Sequence, residues 1–310
     1  MTSNSASATK VDIGICTYRR PAVVATLKSL FELDVPEGVS VRLIVADNDA
    51  EPSAKDSIDR LRETSPFAIS YVHCPMSNIS IARNACLSAC EADYLAFIDD
   101  DETAPRNWLS ELLKTARETD AEAVLGPVTA LYKDNVPGWM KKGDFHSTFP
   151  VWVDGEIITG YTCNTLLKMD APSVSGRRFA LSLGQSGGED THFFTHMHAD
   201  GGRIAYAQHA MLTEPVPDTR ASFLWLAKRR FRSGQTHGRL RAEQKTGLKR
   251  LPLIVATVAK IVYSAAFTVL TAFDPVRRTR SALRTALHAG ALSGIFGVRE
   301  IRQYGTVEAA

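Results

Sequence analysis

The stretch YLAFIDDDE, residues 94–102, places four acidic side chains directly after a short apolar segment. Tyr94–Ile98 has the length and composition of a buried strand. Like charges this close repel one another, so the run indicates a nearby cation. Carboxylates at a strand end suit a hard divalent cation such as Mg²⁺. The alternative is a solvated acidic turn that caps a following helix, which we predict to begin near Pro105.

Strands and helices alternate regularly on both sides of this stretch. Apolar runs bounded by polar breaks predict strands at Val11–Cys16, Val41–Ala46, Phe67–Cys74, Tyr94–Ile98 and Glu122–Val128. Helical segments are predicted between them, at Ala22–Leu33, 53–63, Ile79–Ala89 and Pro105–Thr119. This alternation predicts an α/β fold with a doubly wound, mostly parallel sheet and a Rossmann-like nucleotide-binding half.

Polar clusters follow three of the predicted strands, at Thr17–Arg19, Asp47–Asp49 and Asp99–Glu102. Ligands of such sheets bind outside the carboxyl ends of the strands. We therefore expect the three clusters to converge on one edge of the sheet and to form a single site. This convergence favours the ligand interpretation of the acidic run over the helix cap.

Composition narrows the class of protein. The chain has 310 residues, of which 45% are hydrophobic and 23% charged, and this composition supports a large core. The formal net charge of +2 argues against a nucleic-acid partner. Five scattered cysteines without a CxxC pair predict neither a disulfide framework nor a zinc ribbon, and they favour a reducing cytoplasm.

The pattern changes after about residue 130. We expect a loop-like, aromatic segment, then paired strands at Val151–Ile158 and Tyr161–Leu167 turning at Thr159-Gly160. A short helix is predicted to begin near Glu189. The predicted domains are a polar disordered tail (1–9), an α/β domain (10–218) and a basic helical C-terminal region (219–310). In that region, residues 227–250 carry nine Lys or Arg against one acid, which indicates an anionic partner.

The apolar segment Leu251–Phe273 has one charge, Lys260, and basic residues on both flanks. Its length permits a membrane crossing. Basic residues on both sides suit a helix lying at an anionic membrane surface. Core or dimer packing is the third alternative, and the sequence leaves all three open.

Several motifs, taken together and in order, resemble the family 2 glycosyltransferases with the GT-A fold. The resemblance rests on GICTYRRP, VADND, NISIARNACLSAC, FIDDDE followed by Trp108, and GGEDTHFF, over roughly residues 10–235. Further stretches, including SNISIARN, TGYTCN and LAKRRFRSGQTHGRL, are similar to family members that build succinoglycan-type bacterial exopolysaccharides.

The resemblance implies a nucleotide-sugar donor, a divalent cation (Mg²⁺ or Mn²⁺) and transfer with inversion at the anomeric carbon. Carried over by motif, Thr17, Tyr18 and Arg19 lie by the nucleotide, and Asp47 takes the uracil edge. Arg83 lies near the diphosphate or the sugar. Asp99, Asp100 and Asp101 correspond to the family's DxD motif, in which Asp101 and Asp99 are the candidate metal ligands. Glu189 and Asp190 match its ED motif, in which the aspartate is the general base.

Chemistry gives independent support for Asp190. Inverting transfer needs one base to deprotonate the acceptor hydroxyl. The leaving nucleoside diphosphate needs no acid when a metal neutralises its charge. The alternative is that Glu189 or Asp190 only caps the helix.

The chain departs from the family where many relatives carry a Gln-x-x-Arg-Trp box, because KRRFRSGQT stands near that position. Arg229, Arg230 and Arg232 are candidates for the diphosphate of donor or acceptor, or else they form a solvated or membrane-facing basic helix.

Other polar and aromatic residues leave alternatives open. Asn164 is a candidate hydrogen-bond partner of the donor sugar or the acceptor. Trp139, Trp152 and Tyr161 suit either a sugar-stacking face or the core. His192 and His196 have the spacing of a zinc pair on a helix but lack the HExxH glutamate, which favours acceptor-side packing.

The first functional hypothesis is an inverting hexosyltransferase that moves glucose from UDP-glucose to a polyprenyl-diphosphate-linked oligosaccharide. It would work at the cytoplasmic face of the inner membrane, on an anionic surface and beside other polysaccharide-assembly enzymes. A sugar nucleotidyltransferase shares the sheet and the acidic site, but GICTYRRP has no glycine-rich phosphate loop. A non-catalytic assembly subunit of the same fold is the third hypothesis.

Overall fold

The computed structural model describes residues 8–243 and 245–298. Of the predicted tail, residues 1–7 lie outside the described residues, and the first strand already begins at Thr9. The first elements are β1 (Thr9–Thr17), α1 (Val23–Phe31), β2 (Val39–Asp47), α2 (Lys55–Arg62), β3 (Ala68–His73), α3 (Ile79–Ala89), β4 (Tyr94–Asp99), α4 (Trp108–Thr119), β5 (Ala123–Leu125) and β6 (Val128–Leu131).

The chain continues with shorter elements and then three long helices. These are α5 (Gly138–Gly143), β7 (Trp152–Val153), β8 (Glu156–Ile157), β9 (Asn164–Lys168), α6 (Glu189–Ala199), β10 (Ile204–Tyr206), β11 (Leu212–Pro215), α7 (Phe223–Glu243), α8 (Leu251–Leu270) and α9 (Pro275–Ile295). Single 3₁₀ turns occupy Leu181–Leu183 and Gly247–Arg250.

The chain divides into two compact units. The first contains the described residues up to Thr129 together with Thr148–Gln185 and Glu189–Glu214. The second contains Ala130–Ser147, Ser186–Gly188 and the described residues from Pro215 onward. The predicted boundary at residue 218 is close to this division, but the segments at 130–147 and 186–188 belong to the helical unit.

A seven-stranded sheet with strand order β10-β5-β9-β4-β1-β2-β3 forms the centre of the first unit. Strands β3, β2, β1 and β4 are parallel neighbours, as are β10 and β5, whereas β9 runs antiparallel between β4 and β5. The predicted mostly parallel, doubly wound sheet is therefore confirmed. Apolar side chains fill both faces, with Ile13 and Ile15 on one and Phe97 and Cys86 on the other.

The predicted strand pair that turns at Thr159-Gly160 is wrong. The hairpin is β7–β8, and its two-residue turn is Asp154-Gly155, where both residues have positive φ (52° and 87°). Asp-Gly is a strong signal for such a turn. Gly160 has a packing function instead, because a Cβ there would lie 2.7 Å from the Phe194 ring.

Helix α3 packs close to the sheet because Gly14 of β1 has no side chain. A Cβ at Gly14 would lie 3.1 Å from the Cys86 Cβ and 3.1 Å from the Phe97 ring. The helix starts at Asn78, whose Oδ1 accepts hydrogen bonds from the amides of Ser80 (3.0 Å) and Ile81 (3.4 Å). Together, these contacts fix the position of Arg83, which α3 carries.

The second unit is helical, and α9 packs against α7 and α8. Glycines spaced four apart lie where α7 and α9 cross: Gly234 and Gly238 face the Leu287 and Ala291 backbones, and Gly290 and Gly294 face those of Phe231 and Gln235. Small residues at this spacing let two helix backbones approach closely.

One helix in the described residues, Gly247–Leu270, is long and apolar enough to cross a membrane, with a mean hydropathy of 2.0. Only 17% of its apolar 18-residue window is buried. The covered residues of α8 form a narrow stripe that includes Leu253, Thr257 and Ser264. The rest of this apolar helix is exposed.

Candidate active site

Sheet register brings the predicted strand-end residues side by side. Thr17 of β1 is paired with Asp47 of β2, Cys16 is paired with Asp99 of β4, and Asp47 is paired with His73 of β3. The clusters therefore converge on one edge of the sheet, as the sequence predicted.

Asp100 is buried, and both of its carboxylate oxygens accept hydrogen bonds. Oδ2 accepts one from the Thr17 hydroxyl at 2.8 Å, and Oδ1 accepts one from the Arg20 guanidinium at 3.0 Å. Burial raises the pKa of Asp100 to about 7. Repulsion from Asp101 and Asp99 raises this pKa further, whereas Arg20 and the Thr17 hydrogen bond lower it.

Glu102 is the most deeply buried member of the acidic run. Its Oε2 accepts a hydrogen bond from the Asp99 amide at 2.8 Å, which closes a tight turn around the run. No described residue donates to its Oε1. Burial, reinforced by the charge of Asp99, raises the pKa of Glu102 well above its usual range. Glu102 therefore shapes the turn that presents Asp101.

The interpretation of the acidic run as a helix cap is wrong. Helix α4 begins only at Trp108, and its N-cap residue is Asn107. The acids instead surround the end of β4, where burial and mutual repulsion raise the pKa of Asp99 as well. Although Asp99 keeps some exposed surface, burial is the largest cause, and Arg83 opposes it.

The acidic run fits a hard divalent cation. Its donor atoms are carboxylate oxygens, and burial, with mutual repulsion as a smaller cause, raises the pKa values of Asp99 and Asp100, so a bound cation would stabilise their charged forms. Residues 8–243 and 245–298 contain no group of three or more His, Cys, Asp or Glu arranged to hold a metal by themselves. Mg²⁺ is commonly held by one or two carboxylates, with water and substrate phosphates completing the shell. This set suits a cation that arrives with a diphosphate.

Arg83 connects the end of β4 with the start of α6. Its guanidinium forms a buried ion pair with Glu189 and opposes the raised pKa of both Glu189 and Asp99. Burial, with a further contribution from the neighbouring Asp190 charge, raises the pKa of Glu189 to about 7. The second oxygen of Glu189, Oε2, is buried and accepts no hydrogen bond from the described residues.

Asp190 lies half-buried in the first turn of α6. The Thr191 amide donates to its Oδ1 at 2.6 Å, and the Thr191 hydroxyl donates to the same oxygen at 3.4 Å. The Asp190 carboxylate is among the charges that raise the pKa of Asp99, after burial and Asp101. The structure thus brings the predicted base and the acidic run into one electrostatic cluster.

Two predicted nucleotide-side residues form a surface next to this cluster. The Arg19 guanidinium donates to Asp49 Oδ1 at 2.8 Å and lies 5.4 Å from the centre of the Tyr18 ring. Arg19 has a positive φ of 54°, so the chain turns sharply after β1.

Asp47 lies at the predicted edge but is fully buried. Its Oδ2 accepts hydrogen bonds from the Tyr71 hydroxyl (2.7 Å) and the Ala54 amide (2.8 Å), and its Oδ1 accepts one from the Asp49 amide (3.1 Å). These bonds tie β2, β3 and the start of α2 together. These hydrogen bonds leave the Asp47 carboxylate few acceptor positions for a nucleobase.

Asn164 is not presented to a ligand. Its side chain is fully buried, its oxygen accepts from the Trp108 indole (2.8 Å), and its amide group donates to the carbonyls of Pro127 (2.9 Å) and Ala210 (2.7 Å). Both donor hydrogens are thereby used, so Asn164 holds β9 and α4 together. The sequence motif indicated an important residue but not that its polar atoms face inward.

The remaining candidates lie on several different elements of the two units. Arg229, Arg230 and Arg232 lie on α7 of the helical unit. Trp152 is 56% exposed on the β7–β8 hairpin, whereas Tyr161 donates its hydroxyl to the Gly126 carbonyl and Trp139 packs against Phe145. The rings of His192 and His196 lie 4.1 Å apart.

Sequence reasoning missed Arg20. Its guanidinium contacts both Asp100 (3.0 Å) and Asp101 (2.6 Å). The available signal was its position next to Arg19 at a strand end, but periodicity cannot tell which of two adjacent arginines turns toward β4.

Comparison with known proteins identifies a family for the part of the chain that carries the strand-end clusters. The model of the Glycosyl transferase family 2 matches residues 12–180. The chain is 59% identical over 298 residues to the succinoglycan biosynthesis protein ExoM of Rhizobium meliloti, covering 96% of each protein.

Solved structures share the fold. A mannosyltransferase from Pyrobaculum calidifontis, in complex with GDP-Man and Mn²⁺, superposes with a TM-score of 0.62 at 18% identity, over 93% of this chain and 87% of that one. TarS residues 1–349 from S. aureus, in complex with UDP-GlcNAc, gives a TM-score of 0.53 at 15% identity, over 93% and 92%. The predicted GT-A fold is confirmed by these neighbours.

Proposed function

Because the chain belongs to glycosyltransferase family 2, we propose that it transfers glucose from UDP-glucose, with inversion, to a lipid-linked oligosaccharide during assembly of a succinoglycan-type exopolysaccharide. Family membership makes it a glycosyltransferase and removes the nucleotidyltransferase alternative. The specific pathway is supported by the 59% identity to a protein named for succinoglycan biosynthesis. The observation that carries the proposal is geometric: sheet register brings the acidic run beside Thr17 and Asp47, and the buried Arg83–Glu189 ion pair fixes the start of α6, where Asp190 lies.

We assign Asp101 and Asp99 as the residues that hold Mg²⁺ or Mn²⁺. When bound, the cation would neutralise the charge that develops on the departing UDP. Asp100, which is buried between Thr17 and Arg20, keeps the run in place and lies on the nucleotide side. The mannosyltransferase of similar fold, whose structure contains Mn²⁺ together with a nucleotide sugar, supports this assignment at the level of the fold.

We assign Asp190 as the general base. Both hydrogen bonds from Thr191 go to Oδ1, so Oδ2 is the oxygen that would accept the acceptor proton. The acceptor oxygen would form its bond to the anomeric carbon as the bond from that carbon to the diphosphate oxygen breaks. This single displacement inverts the configuration and needs no second carboxylic acid.

Arg83 and Glu189 support the base and the donor. We propose that Arg83 faces the diphosphate or the sugar while its ion pair with Glu189 fixes the start of α6. The buried Glu189 Oε2, to which no described residue donates, suits a hydroxyl of a bound sugar.

We propose that Thr17, Tyr18 and Arg19 bind the nucleotide. Asp47 would meet the uracil only through the remaining capacity of its Oδ1, because its other contacts hold the strand ends together. On the acceptor side, Arg229, Arg230 and Arg232 are our candidates for a lipid diphosphate.

Membrane contact is proposed to bring the enzyme to a lipid-linked acceptor at the cytoplasmic face of the inner membrane. The support is the exposed apolar helix α8 with basic residues at both ends: Lys249 and Arg250 precede it, and Arg277, Arg278 and Arg280 follow it. Juxtamembrane cations are attracted to anionic lipids. Other polysaccharide-assembly enzymes are expected partners on the same surface.

The proposal is tested by measuring sugar transfer from a panel of UDP-sugars. Purified protein would receive Mg²⁺ or Mn²⁺ and a membrane lipid extract that carries oligosaccharide acceptors. We expect UDP-glucose to be the preferred donor, with transfer lost on addition of EDTA and in Asp101→Ala but kept in Asp34→Ala, which removes an exposed carboxylate elsewhere. Transfer from another UDP-sugar alone would overturn the glucose assignment, and an α-linked product by NMR would overturn inversion.

A further inference from the structure

Arg20 belongs to the stretch GICTYRRP, but neither the sequence pattern nor the family resemblance gave it a function. Its Nη1 contacts Asp100 Oδ1 at 3.0 Å and Asp101 Oδ2 at 2.6 Å, so one guanidinium bridges two members of the acidic run. The side chain is 42% exposed, and that of Asp101 is 19% exposed. Arg20 is therefore held by charge but is not enclosed by packing.

We infer that Arg20 and the divalent cation compete for the same Asp101 oxygen, and that the displaced guanidinium becomes a ligand of the donor's diphosphate. The inference rests on the proposed nucleotide-sugar function. Arg20 then has two opposite effects: it weakens binding of the bare cation and strengthens binding of the nucleotide diphosphate.

The first effect follows from charge and geometry. Both Asp100 oxygens are already used, by Thr17 and by Arg20, so Asp101 is the more accessible carboxylate of the pair. A cation that binds Asp101 Oδ2 has to displace the Arg20 contact at 2.6 Å. Two positive groups on one carboxylate oxygen also repel each other, which favours separation.

The second effect follows from what accompanies the cation. A donor diphosphate brings several negative charges to the point at which the guanidinium has lost a carboxylate. Arginine binds phosphate oxygens through two parallel N–H groups, a geometry that lysine lacks. Since the Arg20 side chain is partly exposed, it has room to turn from the carboxylates to the phosphates.

Arg19 cannot take the same role from its observed position. Its guanidinium contacts Asp49, at the end of the neighbouring strand β2, and lies over the Tyr18 ring. Of these two adjacent arginines, Arg20 is the one that contacts the acidic run.

The test compares two affinities in the full chain. Free Mn²⁺ would be followed by electron paramagnetic resonance to obtain the Kd of the cation alone. Calorimetry would give the Kd of UDP in saturating Mn²⁺. The proteins are wild type, Arg20→Met, Arg20→Lys and Arg106→Met, the last of which removes an exposed arginine of the same unit that pairs at the surface with Asp34.

We expect Arg20→Met to bind Mn²⁺ alone about three- to tenfold more tightly and to bind UDP about tenfold more weakly, as for the loss of a charged hydrogen bond. Arg20→Lys keeps the positive charge but lacks the two parallel N–H donors of the guanidinium. It should retain wild-type Mn²⁺ affinity and lose part of the UDP affinity. Arg106→Met should match wild type in both measurements. Thermal unfolding would establish that each variant is folded, and Arg20→Gln replaces Arg20→Met in both measurements, with the same expected changes, if Arg20→Met does not fold.

Three results would overturn the inference. Unchanged constants in both Arg20 variants would make the contact a surface ion pair without function. Weaker binding of both ligands by Arg20→Met would make Arg20 part of the support of the metal site and not a competitor. Failure of the wild-type protein to bind UDP with Mn²⁺ would overturn the proposed function as well, whereas the first two results leave it standing.

Discussion

At the scale of single residues, the site depends on carboxylates that are held in place by a few donors. Thr17, Arg20 and the Asp99 amide hold the acids of the run, while Arg83 fixes Glu189 across the site. The strand-end pattern indicated Thr17 and the acidic run, the resemblance to family 2 implied Arg83 and Glu189, and Arg20 was missed. The sequence did not reveal that Asn164 and Asp47 turn their polar atoms inward, since that depends on neighbours such as Trp108 and Tyr71 that are distant in the chain.

Ionisation of Asp100 should lower the stability of the fold as the pH rises. Its pKa is raised to about 7 in the folded protein from 3.8, so its ionisation penalty grows between about pH 4 and pH 7 and persists above. We expect Asp100→Asn to raise the Tm relative to wild type more at pH 8 than at pH 5. Thermal unfolding in metal-free buffer measures this difference, and an equal effect at both pH values would show that burial of Asp100 is not penalised.

Removing one member of the Arg83–Glu189 pair should be far more harmful than removing both. Arg83→Met leaves a buried carboxylate without its partner, which typically costs about 3–5 kcal/mol. The double variant Arg83→Met/Glu189→Met should recover a large part of this loss. The cost of Arg83→Met should also be smaller at pH 6 than at pH 8, because the pKa of Glu189 is raised to about 7 and the neutral acid tolerates burial. Urea denaturation of the variants at the two pH values measures the free energy of unfolding and tests both statements. A double variant that loses as much stability as Arg83→Met and Glu189→Met together would contradict the first, and an equal cost of Arg83→Met at both pH values would contradict the second.

At the scale of elements, close backbone approach explains several positions that the sequence pattern left ambiguous. Gly14 admits α3 to the sheet, and Gly160 admits the Phe194 ring, whereas the hairpin turn lies at Asp154-Gly155, where both residues have positive φ. Strand β9 was predicted as a strand, but its antiparallel place between β4 and β5 depends on long-range pairing that local propensity does not record.

The α7–α9 crossing should not tolerate a side chain at its glycines. A Cβ at Gly290 would overlap the Phe231 carbonyl, and backbone atoms cannot move aside as a flexible side chain can. We expect Gly290→Ala to lower the free energy of unfolding by about 1–3 kcal/mol despite the better helix propensity of alanine. Gly138→Ala is the matched control, because a Cβ there meets nothing within 4 Å. Equal stabilities of the two variants would show that the helices do not cross at these glycines.

At the scale of the whole molecule, the chain combines an α/β unit that carries the candidate site with a basic helical unit that exposes an apolar helix. The composition of Leu251–Phe273 showed this helix clearly, but only the structure shows that so little of α8 is covered. Large exposed apolar patches on a soluble surface commonly mark interaction sites. Sequence alone cannot separate a buried helix from an exposed one of equal hydropathy.

Binding to lipid vesicles should depend on both the apolar face of α8 and lipid charge. Val255 and Val262 are 59% and 62% exposed and lie two helical turns apart. We expect Val255→Asp/Val262→Asp to reduce cosedimentation with anionic vesicles about tenfold or more, and high salt to weaken wild-type binding. Met211→Asp, at an exposed apolar position of the other unit, should bind as wild type does. Equal binding of all three proteins would exclude α8 as the membrane contact.

The most direct test of the central claim is acceptor-dependent transfer by Asp190→Asn, compared with Asp200→Asn just after the other end of α6. If the strand ends bind the donor and Asp190 removes the acceptor proton, Asp190→Asn should keep wild-type affinity for UDP with Mn²⁺. It should lose transfer by about 10²-fold or more, as for other general bases, while Asp200→Asn stays active. Transfer by Asp190→Asn at the wild-type rate would contradict the assignment of the base and, with it, the account of this edge of the sheet as the site of glycosyl transfer.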